Sequence, residues 1–236
     1  MHKDKKILAV IPARGGSKGI PNKNIIDING KPLIQYSIDA AKKSKYIDRI
    51  VVSTDSVKIA DIAKKSGADV PMLRPPHLAS DQAKTIDVLT HMVDELRKVG
   101  EVYDYLVLLQ PTQPLRQSFH IDEAVELITS RGARSLVSIS LVNTHPVLMR
   151  TKSPDGTLKN ILTLNSTMRR QEFPDYYYVN GSIYINILDD LFDSNTSLND
   201  NELGYVMEKK YDIDIDEPID LEMAKIKLGY INDQGS

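Results

Sequence analysis

The sequence predicts an α/β fold with a mostly parallel sheet and helices on both faces. Apolar runs and helix-like repeats alternate through the first 140 residues, which is the order of strands and crossover helices. The apolar runs are almost uninterrupted, as is typical of parallel strands buried on both faces. A length of 236 residues with 41% hydrophobic content suits one large domain, with or without an insertion.

The elements of the first half follow one another as strand and helix. Hydrophobic periodicity predicts strands at 8–11, 50–53, 70–72, 105–109 and 135–140. It predicts helices at 33–43, 57–66, 85–98 and 119–130. Gly67 and Gly100 follow two of these helices and are predicted to end them.

The pattern changes after residue 141. A turn signal at 154–157 separates the segments 147–150 and 158–164, and residues 167–179 are polar, basic and rich in tyrosine. We interpret 141–180 as an insertion, and 1–140 with 181–236 as the α/β domain. A strand is predicted at 181–187, short strands at 204–209 and 211–215, and a closing helix at 221–228 that Gly229 would end.

Composition excludes several classes of function. A net charge of −2 gives no bulk electrostatic reason to expect a nucleic-acid partner. The absence of cysteine excludes disulfides, thiol nucleophiles and cysteine metal sites. The first apolar run is too short for a signal peptide or a membrane span. We therefore expect a cytoplasmic protein with neither a nucleic-acid nor a membrane partner.

A cationic glycine loop, residues 13–24, follows the first predicted strand. It contains three glycines together with Arg14, Lys18 and Lys23. Ligands of open α/β sheets bind at this edge, and glycines let backbone N–H groups turn toward an anion. Three cations offset about three negative charges, which is the order of a triphosphate. The glycine spacing fits neither a Walker A loop nor a dinucleotide loop, and the alternative is a solvated basic surface loop.

An acidic segment lies near the other end of the chain. Asp212, Asp214 and Asp216 alternate with two isoleucines, so on a strand the three carboxylates would face one way. Hard oxygen ligands of this kind suit Mg²⁺ (or Mn²⁺) bridging to phosphates. The alternative is that Asp216 caps the helix that opens at Pro218, while Asp212 is merely solvated.

These motifs resemble those of a known family. Residues 13–24 resemble the opening motif of the acylneuraminate cytidylyltransferases, the CMP-sialic acid synthetases. The resemblance continues, in the family's order, through residues 52–55, 73–75, 78–81, 109–116, 180–185 and 213–216. CMP-Kdo synthetases share the fold and a shorter version of the first motif. The resemblance implies a Rossmann-like nucleotidyltransferase domain with a small dimerisation insertion that borders the sugar site, in a homodimer.

The resemblance also implies a reaction and a set of site residues. The reaction is transfer of a cytidylyl group from CTP to the anomeric hydroxyl of an acidic nine-carbon sugar, with release of pyrophosphate. The catalytic residues would be Arg14, Lys23 and Asp214, and the metal ligands Asp214 and Asp216. The nucleotide would contact Arg14, Gly15, Ser17, Lys18, Lys23, Asn24, Arg74, Ser80, Lys84, Thr85 and Gln110. The sugar would contact Gln110, Gln113, Arg170, Tyr178 and Asn180.

Several of these residues could have a purely structural role instead of a ligand contact. Ser80 or Asp81 is expected to cap the helix at 85–98, and the loop containing Gln110 and Gln113 could be an ordinary strand–helix turn. Tyr178 occupies a position where some sialic acid enzymes carry a second arginine, which leaves the sugar open.

Two other functions compete with the favoured one. The same chemistry could act on legionaminic acid, pseudaminic acid or Kdo. A chain of another class would be a non-catalytic, CTP-binding regulatory module, which would not need the Asp214–Asp216 pair. The presence of the cationic loop and the acidic pair in one chain argues against it.

Overall fold

The computed structural model describes residues 5–17, 19–162, 171 and 173–234. The strands are β1 (Ile7–Pro12), β2 (Asp27–Ile28), β3 (Lys31–Pro32), β4 (Arg49–Ser53), β5 (Tyr105–Leu108), β6 (Ser135–Leu141), β7 (Arg150–Lys152), β8 (Leu158–Asn160), β9 (Tyr177–Ile187) and β10 (Leu203–Val206). The helices are α1 (Leu33–Lys43), α2 (Val57–Ser66), α3 (Thr85–Lys98), α4 (Ser118–Arg131) and α5 (Pro218–Gln234).

Six strands form the central sheet in the order β10-β6-β9-β5-β1-β4. Strand β1 pairs in parallel with β4 and β5, and β10 pairs in parallel with β6. Strand β9 lies between β5 and β6 and is antiparallel to both. The predicted mostly parallel sheet is therefore confirmed, with an antiparallel strand near its middle.

Each face of the sheet carries its own apolar core. Ile7, Ala9 and Ile11 of β1 pack on the face that α1, α2 and α4 cover. Leu8 and Val10 pack on the opposite face, against α3. Both faces of β1 are dry, which explains its uninterrupted apolar sequence and confirms helices on both sides. Within the described part of the chain, no helix combines the length and apolar character needed to cross a membrane.

Several predicted boundaries are correct because they depend on local signals. Helices α1, α2 and α3 have the predicted bounds. Gly67 ends α2 with a φ of 93°, a left-handed conformation that glycine adopts without a Cβ clash. Strand β9 begins at Tyr177, which pairs with Leu141 of β6. The strand therefore starts inside the segment interpreted as an insertion. The β7–β8 hairpin lies between β6 and β9 in sequence.

Three predictions for single elements were wrong. No strand forms at 70–72: Asp69 alone bridges to Val51, and Pro71 has no N–H with which to extend the ladder. Residues 211–215 form no sheet strand either, because a 3-10 turn ends at Tyr211 and an extended segment outside the sheet follows. Gly229 lies inside α5, which continues to Gln234, because tertiary packing of the helix outweighs one weak helix former.

Arg116 connects the sheet, α1 and the loop after β5. Its side chain is almost completely buried, and its guanidinium donates to the carbonyl of Ser182 at 2.6 Å and of Gln110 at 3.3 Å, and to the Ser37 hydroxyl. Burial lowers the pKa of Arg116 to about 9, so the group stays charged at neutral pH. It acts as a scaffold cation, since a fork of donors satisfies carbonyls from separate elements.

We predict that Arg116→Met destabilises the protein by about 2–4 kcal/mol, because it leaves buried carbonyl groups unpaired. The measurement is the urea midpoint, with the slope unchanged. Arg131→Met, at the exposed end of α4, is the matched control and should stay within about 0.5 kcal/mol of the parent. Equal midpoints for the two variants would contradict the scaffold role.

Candidate active site

The cationic glycine loop leaves β1 and is folded against its surroundings. The Asn24 amide donates to the carbonyl of Arg14 at 3.0 Å, which closes the loop on itself. The backbone N–H of Gly15 donates to the Asp55 carboxylate at 2.8 Å, which holds the loop beside the end of β4. The N–H of Gly15 is therefore already used, while Asn22 turns the chain with a left-handed φ of 54°.

This loop contacts the acidic segment from the far end of the chain. The Lys23 ammonium lies 2.8 Å from the carbonyl oxygen of Ile215 and 2.9 Å from a carboxylate oxygen of Asp216, across 193 positions of sequence. A Cβ at Gly19 would lie 2.5 Å from the carbonyl oxygen of Asp216, so only glycine permits this approach. The cationic and acidic segments therefore form adjacent walls of one site.

A cavity of about 620 Å³, here called the first cavity, opens between these walls. Its volume lies in the usual range for small-molecule sites. The predicted nucleotide residues in its lining are Arg14, Ser17, Lys23, Asn24, Arg74, Ser80, Thr85 and Gln110, and Asp216 lies there too. Gly15 is not part of this lining, and Lys18 lies outside the described residues.

A second cavity of about 570 Å³ adjoins the first, and Gln110 lines both. Tyr178, Asn180 and Asp214 line the second cavity. A smaller third cavity of about 320 Å³ also includes Gln110, and Lys84 lies there instead of in the first cavity. Gln110 therefore lies where three cavities meet, which supports a position between two ligand parts.

The acidic segment presents its carboxylates on one side without being a strand. Ile213 and Ile215 are buried in a core with α5, and the N–H of Ile215 donates to the carbonyl of Thr112 at 3.0 Å. Burial raises the pKa of Asp214, and the carboxylates of Asp216 and Asp220 raise it further. A hydrogen bond from Thr112 and the charge of Lys23 partly oppose this shift.

The start of α5 is capped by Asp220. Its carboxylate accepts the backbone N–H groups of Asp216 at 3.0 Å and Glu217 at 2.8 Å. The Asp216 carboxylate pairs with Lys23 and accepts no N–H of this helix among the described residues, so Asp216 is not merely its cap. The Asp216 side chain is 72% exposed and keeps its carboxylate toward Lys23 and the first cavity.

The loop before α3 is held by two arginines. Arg14 forms an ion pair with Asp81 at 2.8 Å, and also donates to the carbonyl of Ser80 at 3.3 Å. Arg74 is buried and donates to the Ser53 hydroxyl at 3.1 Å, and burial lowers its pKa to about 10. The predicted cap by Ser80 or Asp81 is wrong, because α3 begins only at Thr85 and no side chain caps it.

The predicted sugar residues differ in how accessible they are. Gln113 is 1% exposed and donates to the carbonyl of Asn180 at 2.6 Å. The Asn180 amide is bonded to Ser138 at 2.6 Å and to Ser140 at 2.9 Å. Both atoms of the Asn180 amide therefore have structural partners, whereas the amide oxygen of Gln113 is buried with no hydrogen-bond partner among the described residues. Contact of either amide with a sugar stays a prediction. Arg170 lies outside the described residues, and the Tyr178 hydroxyl donates to Asp212.

Comparison with known proteins places the chain in a family. The family model described as cytidylyltransferase matches residues 8–226. The chain belongs to the cytidylyltransferase family. The predicted resemblance is confirmed at this level, and the comparisons lend no support to a non-catalytic module.

Two relatives and one solved structure show how far the similarity extends. This cytidylyltransferase-family chain is 38% identical to an N-acylneuraminate cytidylyltransferase of Streptococcus agalactiae serotype V, over 89% of this chain and 50% of the relative. The chain thus spans about half the length of that curated relative. It is 37% identical to the CMP-N,N'-diacetyllegionaminic acid synthase of Legionella pneumophila, over 97% of this chain and 98% of the relative.

The solved structure is a CMP:2-keto-3-deoxy-manno-octonic acid synthetase in complex with CTP. It superposes with a TM-score of 0.69 at 19% identity, over 95% of this chain and 99% of that chain. This likeness concerns the fold, and it agrees with the mostly parallel sheet described above.

Sequence reasoning missed four residues of this family member's site. Asp55 and Asp81 lie inside motifs that carry the resemblance, but their contacts appear only in the folded structure. Asp55 accepts the N–H of Gly15, and Asp81 pairs with the side chain of Arg14. Thr112 bonds to Asp214, and Glu217 lines the first cavity. Thr112 also lies inside one of these motifs, but only the fold brings it to Asp214, which is distant in sequence, and no local pattern marks Glu217.

The carboxylates of Asp214 and Asp216 fit a hard divalent cation whose remaining ligands come from a bound substrate. Within the described ranges, no group of three or more His, Cys, Asp or Glu side chains could hold a metal ion. Two neighbouring carboxylates that open toward adjoining cavities, Asp214 and Asp216, match the way Mg²⁺ is commonly bound, with one or two carboxylates plus substrate phosphates.

We predict that Asp214→Asn raises the melting temperature at pH 7, measured with EDTA present. The folded-state pKa of Asp214 is raised, so its ionised form opposes folding above both pKa values, and the amide removes that cost. The gain should shrink as the pH falls and the parent carboxyl becomes protonated.

Asp61→Asn, at an exposed position of α2, is the matched control for this prediction, because its carboxylate does not contribute to the pKa of Asp214. It should stay within about 0.5 kcal/mol of the parent at pH 7. A lower melting temperature for Asp214→Asn than for the parent at pH 7 would contradict the assigned electrostatics.

Proposed function

We propose that the chain transfers a cytidylyl group from CTP to the anomeric hydroxyl of an acidic nine-carbon sugar, N-acetylneuraminate or a close analogue. The observation that carries this proposal is the pair of adjoining cavities joined at Gln110, with cations on one wall and carboxylates between them. The named activities of the two relatives, one toward a sialic acid and one toward a legionaminic acid, support an acidic sugar.

The first cavity would hold the nucleotide. Arg14 and Lys23 face its interior, and Lys18 belongs to the same loop. These cations would neutralise the triphosphate and stabilise the departing pyrophosphate, which is the main work of such a site. Lys23 uses two of its three N–H donors on Ile215 and Asp216, so one remains for a phosphate oxygen.

Asp214 and Asp216 would hold Mg²⁺ or Mn²⁺. A bound cation of this kind polarises phosphate oxygens and offsets their charge. The residues themselves keep both carboxylates on one side of the chain, because Ile213 and Ile215 are anchored in the core. Lys23 fixes the Asp216 end of the pair, and Thr112 fixes the Asp214 end.

The second cavity would hold the sugar. The anomeric oxygen of the sugar would form a bond to the α-phosphorus while the bond from that phosphorus to the pyrophosphate oxygen breaks, and the hydroxyl proton would pass to solvent water. Gln110 lies where the two substrates would meet. Holding both in line supplies much of the rate acceleration, because the attack becomes effectively unimolecular.

A homodimer and a cytoplasmic location are also part of the proposal. Leu148, Leu158 and Ile161, on and beside the β7–β8 hairpin, are 52%, 65% and 51% exposed, which favours a covering partner. A chain without cysteine suits a reducing compartment.

For the homodimer, sedimentation velocity should show a particle of twice the mass of the chain. The double variant Leu158→Asp with Ile161→Asp should sediment as a monomer.

The deciding experiment is pyrophosphate release from CTP. We expect release only when an acidic sugar is added, and the assay compares N-acetylneuraminate, legionaminic acid, pseudaminic acid and Kdo. ATP, GTP and UTP serve as controls, and formation of the CMP-sugar is followed by chromatography. Binding of CTP with no release in the presence of any of the four sugars would instead indicate a non-catalytic module.

We predict that Lys23→Met lowers kcat by about 10²–10³, since it removes a donor aimed at developing phosphate charge. The measurement is pyrophosphate release at saturating CTP, sugar and Mg²⁺. Lys31→Met is the matched control, because Lys31 pairs with Asp39 and does not line the first cavity. A rate near that of the parent would remove Lys23 from the catalytic machinery.

A further inference from the structure

The negative charge of the second cavity opposes binding of an acidic ligand unless specific cations contact that ligand. Its described lining contains the carboxylates of Asp212, Asp214 and Asp220. It also contains two cations, Lys209 and Lys227. When no cation is bound to Asp214, a sugar carboxylate that enters this space is repelled by three like charges, which favours a cation at the point of contact.

The carboxylates of this cavity already have partners. The Tyr178 hydroxyl donates to Asp212, and Asp220 accepts two backbone N–H groups at the start of α5. Asp214 accepts a hydrogen bond from Thr112. None of the three carboxylates depends on a lysine of this cavity for a partner, so the two lysines are not consumed by neutralising them.

Both lysines are bonded to the backbone of Asp212, Lys209 through its main chain and Lys227 through its ammonium. The N–H of Asp212 donates to the main-chain carbonyl of Lys209 at 3.2 Å. The Lys227 ammonium donates to the main-chain carbonyl of Asp212 at 2.8 Å, which leaves two further N–H donors. Among the residues that the structure describes, the Lys209 ammonium has no ion-pair partner.

We propose that Lys209 and Lys227 bind the carboxylate of the acidic sugar and so select acidic over neutral sugars. This inference rests on the proposed function, and it names the residues that recognise the acid. The phosphates of the nucleotide have their own cations, Arg14 and Lys23, in the first cavity. Lys209 and Lys227 line the second cavity and not the first, so they serve the other substrate.

Neighbouring residues of the chain provide a matched control. Lys210 follows Lys209 in the same 3-10 turn, but its ammonium pairs with Glu208 at 3.0 Å and lies over the ring of Tyr211. Lys210 does not line the second cavity. Lys209→Met and Lys210→Met therefore remove the same charge from adjacent positions, of which only one faces the cavity.

The experiment measures KM for the acidic sugar at saturating CTP, and KM for CTP at saturating sugar. Lys209→Met and Lys227→Met should each raise KM for the sugar about 10-fold or more, because each removes a charge-assisted contact. KM for CTP should stay within about twofold, and Lys210→Met should match the parent in both constants. Lys209→Arg should keep most of the affinity for the sugar, because it retains the positive charge.

A second substrate tests the chemical group that is recognised. The C1 carboxamide of the same sugar has no charge, so Lys209→Met should change its KM by less than about threefold. An unchanged KM for the acidic sugar in Lys209→Met, or equal losses for acid and carboxamide, would overturn the inference. Lys209 is exposed, so this variant remains informative even if Lys227→Met loses the bond to Asp212 and unfolds.

The failure of this inference is distinguishable from failure of the proposed function. If the parent protein releases no pyrophosphate with any acidic sugar, the proposed function fails first. If the parent is active and the lysine variants keep its sugar KM, only the assignment of Lys209 and Lys227 fails.

Discussion

The site depends on one contact, the Lys23 ammonium between the carbonyl of Ile215 and the carboxylate of Asp216. This contact brings the loop after the first strand against the segment before the last helix. Gly19 makes the approach possible, because any side chain there would collide with the backbone of Asp216. If these segments separated, the first cavity would lose adjacent walls and the two carboxylates would lose their fixed position relative to the cations.

The antiparallel strand β9 is the second constraint on the site. It runs between β5 and β6, and at the register shift in its pairing with β6 the buried Asn180 amide bonds to Ser138 and Ser140. Gly181 follows with a φ of 77° and lies against the amides of Gln110 and Gln113. A buried amide whose oxygen and nitrogen are both paired, as in Asn180, defines one geometry and resists slippage. The strand therefore places the second cavity directly beside the loop that carries Gln110.

Charge is divided unevenly between the two cavities. The first cavity contains Arg14 and Lys23 of the glycine loop, and the second contains three carboxylates together with two lysines. Burial raises the pKa of Asp214, and the carboxylates of Asp216 and Asp220 raise it further, so ionising Asp214 costs free energy when no cation is bound. Sites that bind a metal together with phosphates commonly carry such a cost, because the cation removes it on binding. Arg116, beneath this boundary, supplies rigidity through backbone carbonyls and has no carboxylate partner among the described residues.

The sequence by itself determined the fold class, the bounds of α1 to α3 and the two charged segments, because helix periodicity, apolar strands and cation-rich glycine loops are local signals. It also determined the family, through motifs in a set order. Only the tertiary structure decided that 70–72 and 211–215 are not strands, that α5 passes through Gly229, and that Asp220 instead of Asp216 caps this helix. It alone placed β9 between β5 and β6 and joined Lys23 to Asp216. The physical reason is that strand pairing and ion pairing across 193 positions depend on which surfaces the whole chain buries, and no short window of sequence contains that information.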